Sequence, residues 1–183
     1  MSTEPGHKTF TYQDYLKTPD DIRYQLIEGE LIREPAPTVS HQSIAMNLSS
    51  ILWNFAKSHG LGRVLAAPTD VYLSETNVLQ PDVLFVSSER TRIITERCIH
   101  GAPDLVVEIA SPTTVRRDRG IKRELYAHHG VAEYWLVDPV TETIEVLQLT
   151  DRQFATAGRY SRSDTLTTPA LPGLAVHLDE VFS

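Results

Sequence analysis

The sequence predicts an α/β fold in which helices flank a mixed β-sheet. Three observations support this prediction: a long stretch with helical periodicity, several short runs rich in β-branched residues, and a second helical stretch between two of those runs. The order of elements is helix, hairpin, long helix, several strands, helix and further strands, which is typical of helices packed on a sheet. No repeat or internal boundary divides the 183 residues, so one domain is expected over residues 1–183.

Composition restricts the function. Hydrophobic residues make up 41% of the chain and charged residues 22%, as in ordinary globular proteins. The net charge of −7 argues against broad, nonspecific coating of nucleic acid, so any such contact is expected from a local patch. The single cysteine, Cys98, excludes an internal disulfide. Together with a polar N-terminal segment 1–8 and the lack of a long apolar run, it favours a cytoplasmic protein.

In the first half of the chain, proline and turn residues separate the predicted elements. A short helix, a hairpin, a long helix and three strands are expected at residues 11–16, 24–33, 40–59, 63–66, 69–73 and 82–86. Thr9 or Thr11 is the expected N-cap of the short helix, and Ser40 that of the long one. The hairpin turn is expected at Glu28-Gly29, and Gly60 should follow the end of the long helix.

The second half contains further strands and one more helix. Residues 74–77 are expected to be a break between strands, and residues 87–101 to be irregular with one helical turn. The later elements are a central strand, a helix, a strand, a hairpin, and a last strand with a helical turn, at residues 104–110, 113–129, 133–138, 143–160 and 171–182. Gly130 is expected to end the helix.

The central strand, Asp104–Ala110, carries the most informative residue. The run is apolar, rich in β-branched side chains and bounded by Pro103 and Pro112, as expected of a buried interior strand. Glu108 lies inside it, on the same predicted face as Val106. Burying an ionised carboxylate is unfavourable unless the group is paired or binds a metal. A glutamate that bonds to a neighbouring arginine is the alternative.

Asp82 is the first candidate partner of Glu108. It follows Pro81 at the start of a predicted strand, and its separation from Glu108 along the chain suits two neighbouring strands joined by a loop. Two converging carboxylates would offer the hard oxygen ligands that Mg²⁺ accepts. Alternatively, Asp82 only caps a turn after proline.

The predicted helix after the central strand carries the second candidate. Asp118, Lys122 and Tyr126 are spaced four apart and therefore lie along one stripe. The helix leaves the strand by a short connection, so it can place the Lys122 ammonium near both carboxylates; a surface ion pair between Asp118 and Lys122 is the alternative. The densest basic cluster of the chain consists of Arg116, Arg117, Arg119 and Arg123. This cluster is either a solvated face or a site that attracts a phosphate backbone.

These motifs resemble a known family. Pro81-Asp82 followed by Glu108 in a hydrophobic strand is similar to the PD-(D/E)xK nuclease pattern. Further matching positions are Val107–Pro112, Asp118, Lys122, Tyr126, Gly130–Pro139, Tyr24–Leu31 and His41. Together they resemble the Uma-two family of restriction endonuclease-like proteins, over most of the chain. The resemblance implies a restriction endonuclease-like fold, a mixed β-sheet core flanked by helices.

The resemblance also implies a metal site and a catalytic lysine. Asp82 and Glu108 are implied to hold Mg²⁺ or Mn²⁺, with the carbonyl of Ile109 as a further ligand. The superfamily lysine would stand two residues after Glu108, where this chain has Ala110. In Uma-two proteins it is implied to have moved to the following helix, here to Lys122. That side chain would orient the attacking water and stabilise negative charge, and could act as a general base only if its pKa were depressed.

The supporting residues include one departure from the family pattern. The first hairpin of the family usually reads Tyr-Glu-Leu, and this chain has the uncharged Gln25 in place of that Glu. This loss of charge is expected to weaken metal binding unless Glu28 compensates from the nearby turn. His41 is expected either to bond a phosphate or a carboxylate, or to cap the long helix. Asp118 and Tyr126 complete the expected supporting set.

The expected function is metal-dependent hydrolysis of nucleic-acid phosphodiester bonds, with DNA as the substrate. A homodimer is expected because the hairpin at residues 143–160 offers strand edges that a second copy can cover. Two other functions stay open. One is a nuclease-fold protein that binds DNA or a partner without cutting, suggested by Gln25 and the acidic composition. The other is a dimerisation module in which the acids and Lys122 form a salt-bridge network.

Overall fold

The computed structural model describes residues 8–19 and 21–183. The expectation for the N-terminal segment 1–8 falls, except for Lys8, outside these described residues. The helices are α1 (Tyr12–Tyr15), α2 (Val39–Ser58), α3 (Val115–Arg117), α4 (Arg123–His129) and α5 (Leu178–Val181), with a 3₁₀-helix at Ser88–Ile93 and a π-helix at Asp118–Lys122. Within the described ranges, no helix combines the length and the apolar character needed to cross a membrane.

Thirteen strands accompany these helices in the described part of the chain. They are β1 (Tyr24–Ile27), β2 (Glu30–Arg33), β3 (Gly62–Ala66), β4 (Val71–Ser74), β5 (Asn77–Leu79), β6 (Val83–Ser87), β7 (Ile99–His100), β8 (Leu105–Ile109), β9 (Glu133–Asp138), β10 (Thr143–Thr150), β11 (Gln153–Ser161), β12 (Thr165–Thr167) and β13 (Ala175–His177). β12 and β13 form a separate two-stranded ribbon.

A six-stranded mixed sheet forms the centre of the molecule. Its strand order is β11-β10-β9-β8-β6-β3, and every neighbouring pair is antiparallel except β8 with β9. β8 is therefore an interior strand between β6 and the strand that contains Tyr134-Trp135, which confirms the prediction for Asp104–Ala110. Asp82 lies immediately before β6, not inside it. Because Val83 pairs with Val107 in antiparallel register, Asp82 lies beside the end of β8.

A second sheet of five strands, in the order β2-β1-β5-β4-β7, replaces the expected single mixed sheet. The break predicted at residues 74–77 is a tight turn, and it leads into β5, a strand that was not predicted. The Asn77 side-chain amide donates to Ser74 Oγ at 2.9 Å across this turn. β5 could not be recognised from alternation because it is short and buried along its whole length.

The central sheet is covered on both faces. Leu105, Val107 and Ile109 of β8 pack with α2 and the C-terminal segment, whereas Val106 packs with α4. The predicted alternation along β8 is therefore confirmed, and it places Glu108 on the α4 side. Because α2 and α4 cover opposite faces of the sheet, side chains from both helices can meet only beyond the ends of the strands. That place is where β6 begins and β8 ends.

The N-terminus of α2 is fixed by Thr38 and not by Ser40, so the predicted cap was wrong. Thr38 Oγ1 accepts the backbone N–H of His41 at 3.2 Å, and the helix begins one residue after Thr38. Thr38 has the extended backbone conformation that an N-cap requires, and Ser40 falls in the first turn. At the other end Gly60 has a φ of +63°, as predicted for the residue after the helix.

The helix predicted over residues 113–129 is present but irregular. The π-helix separates α3 from α4, and Gly120 interrupts it with non-helical backbone angles. Gly120 is therefore a kink between two helical segments, and the side-chain spacing across it differs from that of a continuous α-helix. Both Asp118 and Lys122 belong to the π-helix and are buried. Gly130, at a φ of +88°, ends α4 as predicted.

Candidate active site

A pocket of about 240 Å³ opens where β6 begins and β8 ends. Polar side chains from separate parts of the chain reach it, among them Gln25, Glu34, His41, Asp82, Glu108 and Lys122. The first hairpin, α2, two strand ends and the π-helix all contribute to the lining. The site therefore forms only when the two sheets and both covering helices are in place.

Glu108 is buried at the base of this pocket, with 3% of its surface exposed. Its Oε2 accepts from Lys122 Nζ at 3.0 Å, and its Oε1 accepts from the Tyr126 hydroxyl at 2.8 Å. Burial raises the pKa of Glu108 to about 8 in spite of the Lys122 charge, and the negative charges of Asp118 and Asp82 add to the increase. The cluster thus has a surplus of acidic groups.

Lys122 lies in the interior and is not a surface ion-pair partner, so that alternative was wrong. Its side chain is 2% exposed, and its Nζ is 3.3 Å from Asp118 Oδ1 as well as in contact with Glu108. Burial alone would lower the pKa of Lys122, but the charges of Glu108 and Asp118 outweigh burial and raise it. The group is therefore an ammonium, and its suggested role as a general base does not fit this environment.

Asp118 carries the less satisfied carboxylate of the cluster. Its side chain is 1% exposed, and within residues 8–19 and 21–183 neither of its carboxylate oxygens has a hydrogen-bond partner of good geometry. Its main-chain carbonyl accepts from the Tyr134 hydroxyl at 3.0 Å, which holds the π-helix against β9. Asp118 therefore acts on Lys122 through charge rather than through a well-formed hydrogen bond.

Asp82 is held by two donors on the same oxygen. Its Oδ2 accepts the backbone N–H of Ile109 at 2.7 Å and lies 3.2 Å from His41 Nε2. Burial lowers the pKa of His41, but the hydrogen bond and charge of Asp82, with a smaller contribution from the Ile109 main chain, raise it overall. The His41 side chain thus bonds a carboxylate, as one expectation had it, and the capping role belongs to Thr38.

The four arginines of the basic cluster do not form one face. Arg117 Nη2 is 3.0 Å from Glu34 Oε1 beside the pocket, and Arg119 Nη1 is 3.4 Å from Glu145 Oε2. Arg123 donates to the main-chain carbonyl of Phe154 at 2.6 Å. Arg116 is exposed. Neither this geometry nor the burial tests the expectation that these residues bind nucleic acid.

Comparison with known proteins agrees with the motifs. The sequence model of the Uma2 family, described as "Putative restriction endonuclease", matches residues 11–179. The chain belongs to the Uma2 family. A relative, the "Uncharacterized protein slr1290" of Synechocystis sp., is 26% identical over 176 residues, which cover 93% of this chain and 90% of that protein. The resemblance found in the sequence is therefore confirmed.

A solved structure has the same fold as this Uma2 protein. It is the crystal structure of "a putative nuclease belonging to DUF820" from Anabaena variabilis, with a TM-score of 0.79 and 21% identity over 94% of this chain and 97% of that chain. At this identity the likeness shows the fold alone. It confirms the predicted α/β, restriction endonuclease-like class.

The departure of this Uma2 chain at position 25 has a structural consequence. Gln25 is buried, and its Oε1 accepts the backbone N–H of Gln80 at 3.0 Å, which joins β1 to the segment before Asp82. The expectation that Glu28 supplies the charge missing at Gln25 was wrong, because Glu28 does not lie at the site. Glu28 is exposed in the hairpin turn, with a φ of +48°, and does not line the pocket.

Glu34 occupies the place in the pocket that was expected for Glu28. Its side chain is 8% exposed, and its charge acts on Lys122. The strand register explains this position, because Gln25 pairs with Ile32 and alternation puts Glu34 on the same face two residues later. Sequence reasoning missed Glu34 because the hairpin was expected to close at residue 33, whereas Glu34 N–H still donates to the Arg23 carbonyl at 2.9 Å.

The oxygen ligands of this Uma2 site are of the kind that a hard cation binds, but the protein supplies only part of a full coordination shell. Among residues 8–19 and 21–183, no three His, Cys, Asp or Glu side chains are grouped to hold a metal ion. Asp82, Glu108 and the Ile109 carbonyl nevertheless offer only oxygen atoms at one pocket, which suits Mg²⁺ or Mn²⁺ with water in the other positions. Burial raises the pKa of Glu108, and a cation bound beside this carboxyl group would oppose that effect by favouring its charged form.

Proposed function

We propose that this Uma2 protein is a metal-dependent endonuclease that hydrolyses phosphodiester bonds of nucleic acid, with DNA as the substrate. The observation that carries the proposal is the buried Lys122 ammonium, in contact with Glu108 at the base of an open pocket that Asp82 also lines. Burying a lysine beside two acids carries a desolvation cost that nonpolar side chains would avoid. The presence of these buried charges therefore favours a functional purpose. Phosphoryl chemistry, in which negative charge develops at the reacting phosphate, supplies that purpose.

Asp82, Glu108 and the main-chain carbonyl of Ile109 would hold the divalent ion. When bound, Mg²⁺ or Mn²⁺ supplies Lewis-acid polarisation of the phosphate and a more acidic water at neutral pH. The protein contributes the position of these ligands. Tyr126 fixes one oxygen of Glu108, and the Ile109 N–H and His41 together fix Asp82 Oδ2, so Oδ1, which takes part in neither contact, can face the pocket.

Lys122 performs the chemical role assigned to the superfamily lysine. Its proton is retained because Glu108 and Asp118 hold the ammonium from two sides. A fixed ammonium can orient an attacking water and stabilise the charge that develops on the phosphate, without reorganisation during the reaction. Proton removal from the water is left to another base or to solvent, since the raised pKa of Lys122 prevents it from accepting a proton.

Substrate binding, assembly and cellular location are also part of the proposal. Arg117, which is paired with Glu34, would contact a substrate phosphate, and the exposed Arg116 would contact the backbone beside it. We propose that the enzyme acts as a homodimer of one-domain subunits in the cytoplasm. The buried free Cys98 is compatible with a reducing compartment.

A second candidate function is nucleic-acid or partner binding without cleavage. Two observations favour it: Gln25 brings no charge to the position of the family acid, and both oxygens of Glu108 are already used by Lys122 and Tyr126. A weak metal site with an intact fold would give a binding protein. The proposed test separates these two functions.

The test is nicking of a supercoiled plasmid with Mg²⁺ or Mn²⁺, with excess EDTA as the metal-free control. Nicking by the wild-type protein with metal only, and its loss in Glu108→Gln, is the expected result. Glu96→Gln is the matched control, because Glu96 is an exposed acid outside the pocket. Retarded migration of the plasmid without nicking would refute the enzyme and favour the second candidate.

A further inference from the structure

A second concavity, of about 490 Å³, lies between α4 and the β10–β11 hairpin and shares no lining residue with the active-site pocket. Three arginines and one histidine line it: Arg119, Arg123, Arg152 and His128. One acidic residue, Glu124, shares the lining. The chain has a net charge of −7, so this concavity is a local concentration of positive charge. A local patch of this kind is where the composition led us to expect any contact with nucleic acid.

Two of these arginines are held in place by the protein. Arg119 is paired with Glu145, whose Oε1 also contacts Arg159, and Arg123 donates to the Phe154 carbonyl. Each guanidinium has five N–H donors in a planar fork, so a single contact leaves others for a ligand. A planar fork with free donors pairs well with the oxygen atoms of a phosphate.

The third arginine stands in a strained turn. Asp151 and Arg152 form the two-residue connection between β10 and β11, with φ values of +50° and +62°. A turn of this geometry favours glycine, above all at the second position, because a side chain with a positive φ is sterically unfavourable. Glycine at position 152 would therefore make the fold more stable, whereas the Arg152 side chain lines the basic concavity. The positive φ of Arg152 and its place in a basic concavity together motivate a functional hypothesis for this residue.

We propose that Arg119, Arg123 and Arg152 form a binding site for a backbone phosphate of nucleic acid, separate from the catalytic pocket. The inference rests on the proposed function in that it takes nucleic acid as the ligand. The site does not contact the scissile bond. It holds the substrate at a second point, so that affinity and register depend on the hairpin as well as on the pocket.

The experiment compares Arg152→Gly with the wild-type protein in two measurements. Thermal unfolding should give a higher Tm for Arg152→Gly, because glycine relieves the positive φ. Fluorescence anisotropy with a labelled DNA duplex in EDTA, where no metal-dependent cleavage occurs, should give about tenfold weaker binding at low salt, and the slope of log K against log salt should fall by about one. A gain in stability with a loss of affinity is not expected of an arginine that merely points into solvent.

Two variants serve as controls. Asp151→Gly relieves a positive φ in the same turn but retains Arg152, so its Tm should rise while its affinity for the duplex is not weakened. Arg97→Gln removes an exposed positive charge elsewhere, and should change the affinity by less than about twofold. Equal weakening by Asp151→Gly or Arg97→Gln would overturn the proposal, because the loss would then come from the turn or from net charge.

The remaining outcomes are also decisive. Wild-type affinity and salt slope in Arg152→Gly, or a wild-type protein that does not bind the duplex, would overturn the phosphate site. A change in molecular mass of Arg152→Gly by light scattering, with affinity unchanged, would show that the concavity serves a second copy of the chain and would overturn it as well. A wild-type protein that binds through Arg152 but does not nick plasmid would refute the proposed enzyme and leave this site standing.

Discussion

At the scale of single residues, the buried positive charge of Lys122 is the central feature of the site. Its ammonium is surrounded by Glu108 and Asp118 in the interior, so its charge is compensated by protein groups rather than by water. Removing one member of a buried ion cluster leaves the others without compensation, which is much more damaging than loss of an exposed pair. This difference can be measured.

Replacing Lys122 with methionine tests the buried cluster. Lys122→Met should lower the free energy of unfolding by about 3–5 kcal/mol, because two buried acids lose their cation. Under conditions where the variant is still folded, cleavage should fall by about 10²–10³, the usual loss for one fixed charge at a transition state. Denaturant unfolding and single-turnover plasmid nicking give the two values.

Lys17→Met is the matched control for that variant. Lys17 is 74% exposed, and its Nζ is 3.9 Å from Asp14, so the substitution should cost less than about 1 kcal/mol and leave cleavage unchanged. If Lys122→Met were as mild as Lys17→Met in both measurements, the description of Lys122 as a buried functional charge would be wrong.

The sequence revealed much of this site at the residue scale. The approach of Lys122 to Glu108 was expected from the short connection after the strand, and the two side chains are in contact. The place of Glu34 did not follow, because it depends on how far the hairpin pairing extends past residue 33. The raised pKa of Lys122 could not be anticipated either, since it depends on the number of acids buried around it.

At the scale of elements, the start of α2 positions part of the site. Thr38 caps the helix by accepting the backbone N–H of His41, and the His41 ring then reaches Asp82. Thr38→Ala should lower the free energy of unfolding by about 0.5–2 kcal/mol, the usual loss for an N-cap. Denaturant unfolding measures this loss.

Ser40→Ala is the comparison for the cap, because Ser40 was the N-cap expected from the sequence. In the structure Ser40 is exposed within the first turn of α2, so its replacement should change the free energy of unfolding by less than about 0.5 kcal/mol. A larger effect of Ser40→Ala than of Thr38→Ala would show that the helix begins later than described.

The elements divide into those that local patterns can identify and those that depend on distant contacts. The central strand, the long helix and the hairpin at residues 143–160 have strong periodicity or clear turn signals, and they are present. β5 and β7 have three and two residues, so pairing in the second sheet defines them, not their own pattern. The π-helix was hidden in a stretch with ordinary helical spacing, and Gly120 was its only local signal.

At the scale of the whole molecule, the central sheet ends in the strands β11 and β3 as far as residues 8–19 and 21–183 show. β11 is long and largely exposed, and edges of this type are open to pairing with another chain. We expect a homodimer formed through β11. Light scattering at tens of micromolar should therefore give twice the mass of one chain.

A charge on that edge should disrupt the dimer. Ala157→Lys places a lysine on exposed β11, which opposes strand pairing, whereas Ala132→Lys adds the same charge in an exposed connection before β9. Only Ala157→Lys should give the mass of a monomer. A monomeric wild-type protein would remove the dimer from this account without affecting the active site.

The central claim is that Asp82 and Glu108 hold a divalent cation beside Lys122, and calorimetric titration with Mn²⁺ tests it most directly. The wild-type protein and Glu96→Gln should bind about one Mn²⁺ per chain, and Asp82→Asn and Glu108→Gln should bind it at least about tenfold more weakly, since each removes a charged oxygen ligand. A wild-type protein that takes up no Mn²⁺, or variants that bind it as tightly as the wild type, would contradict the claim.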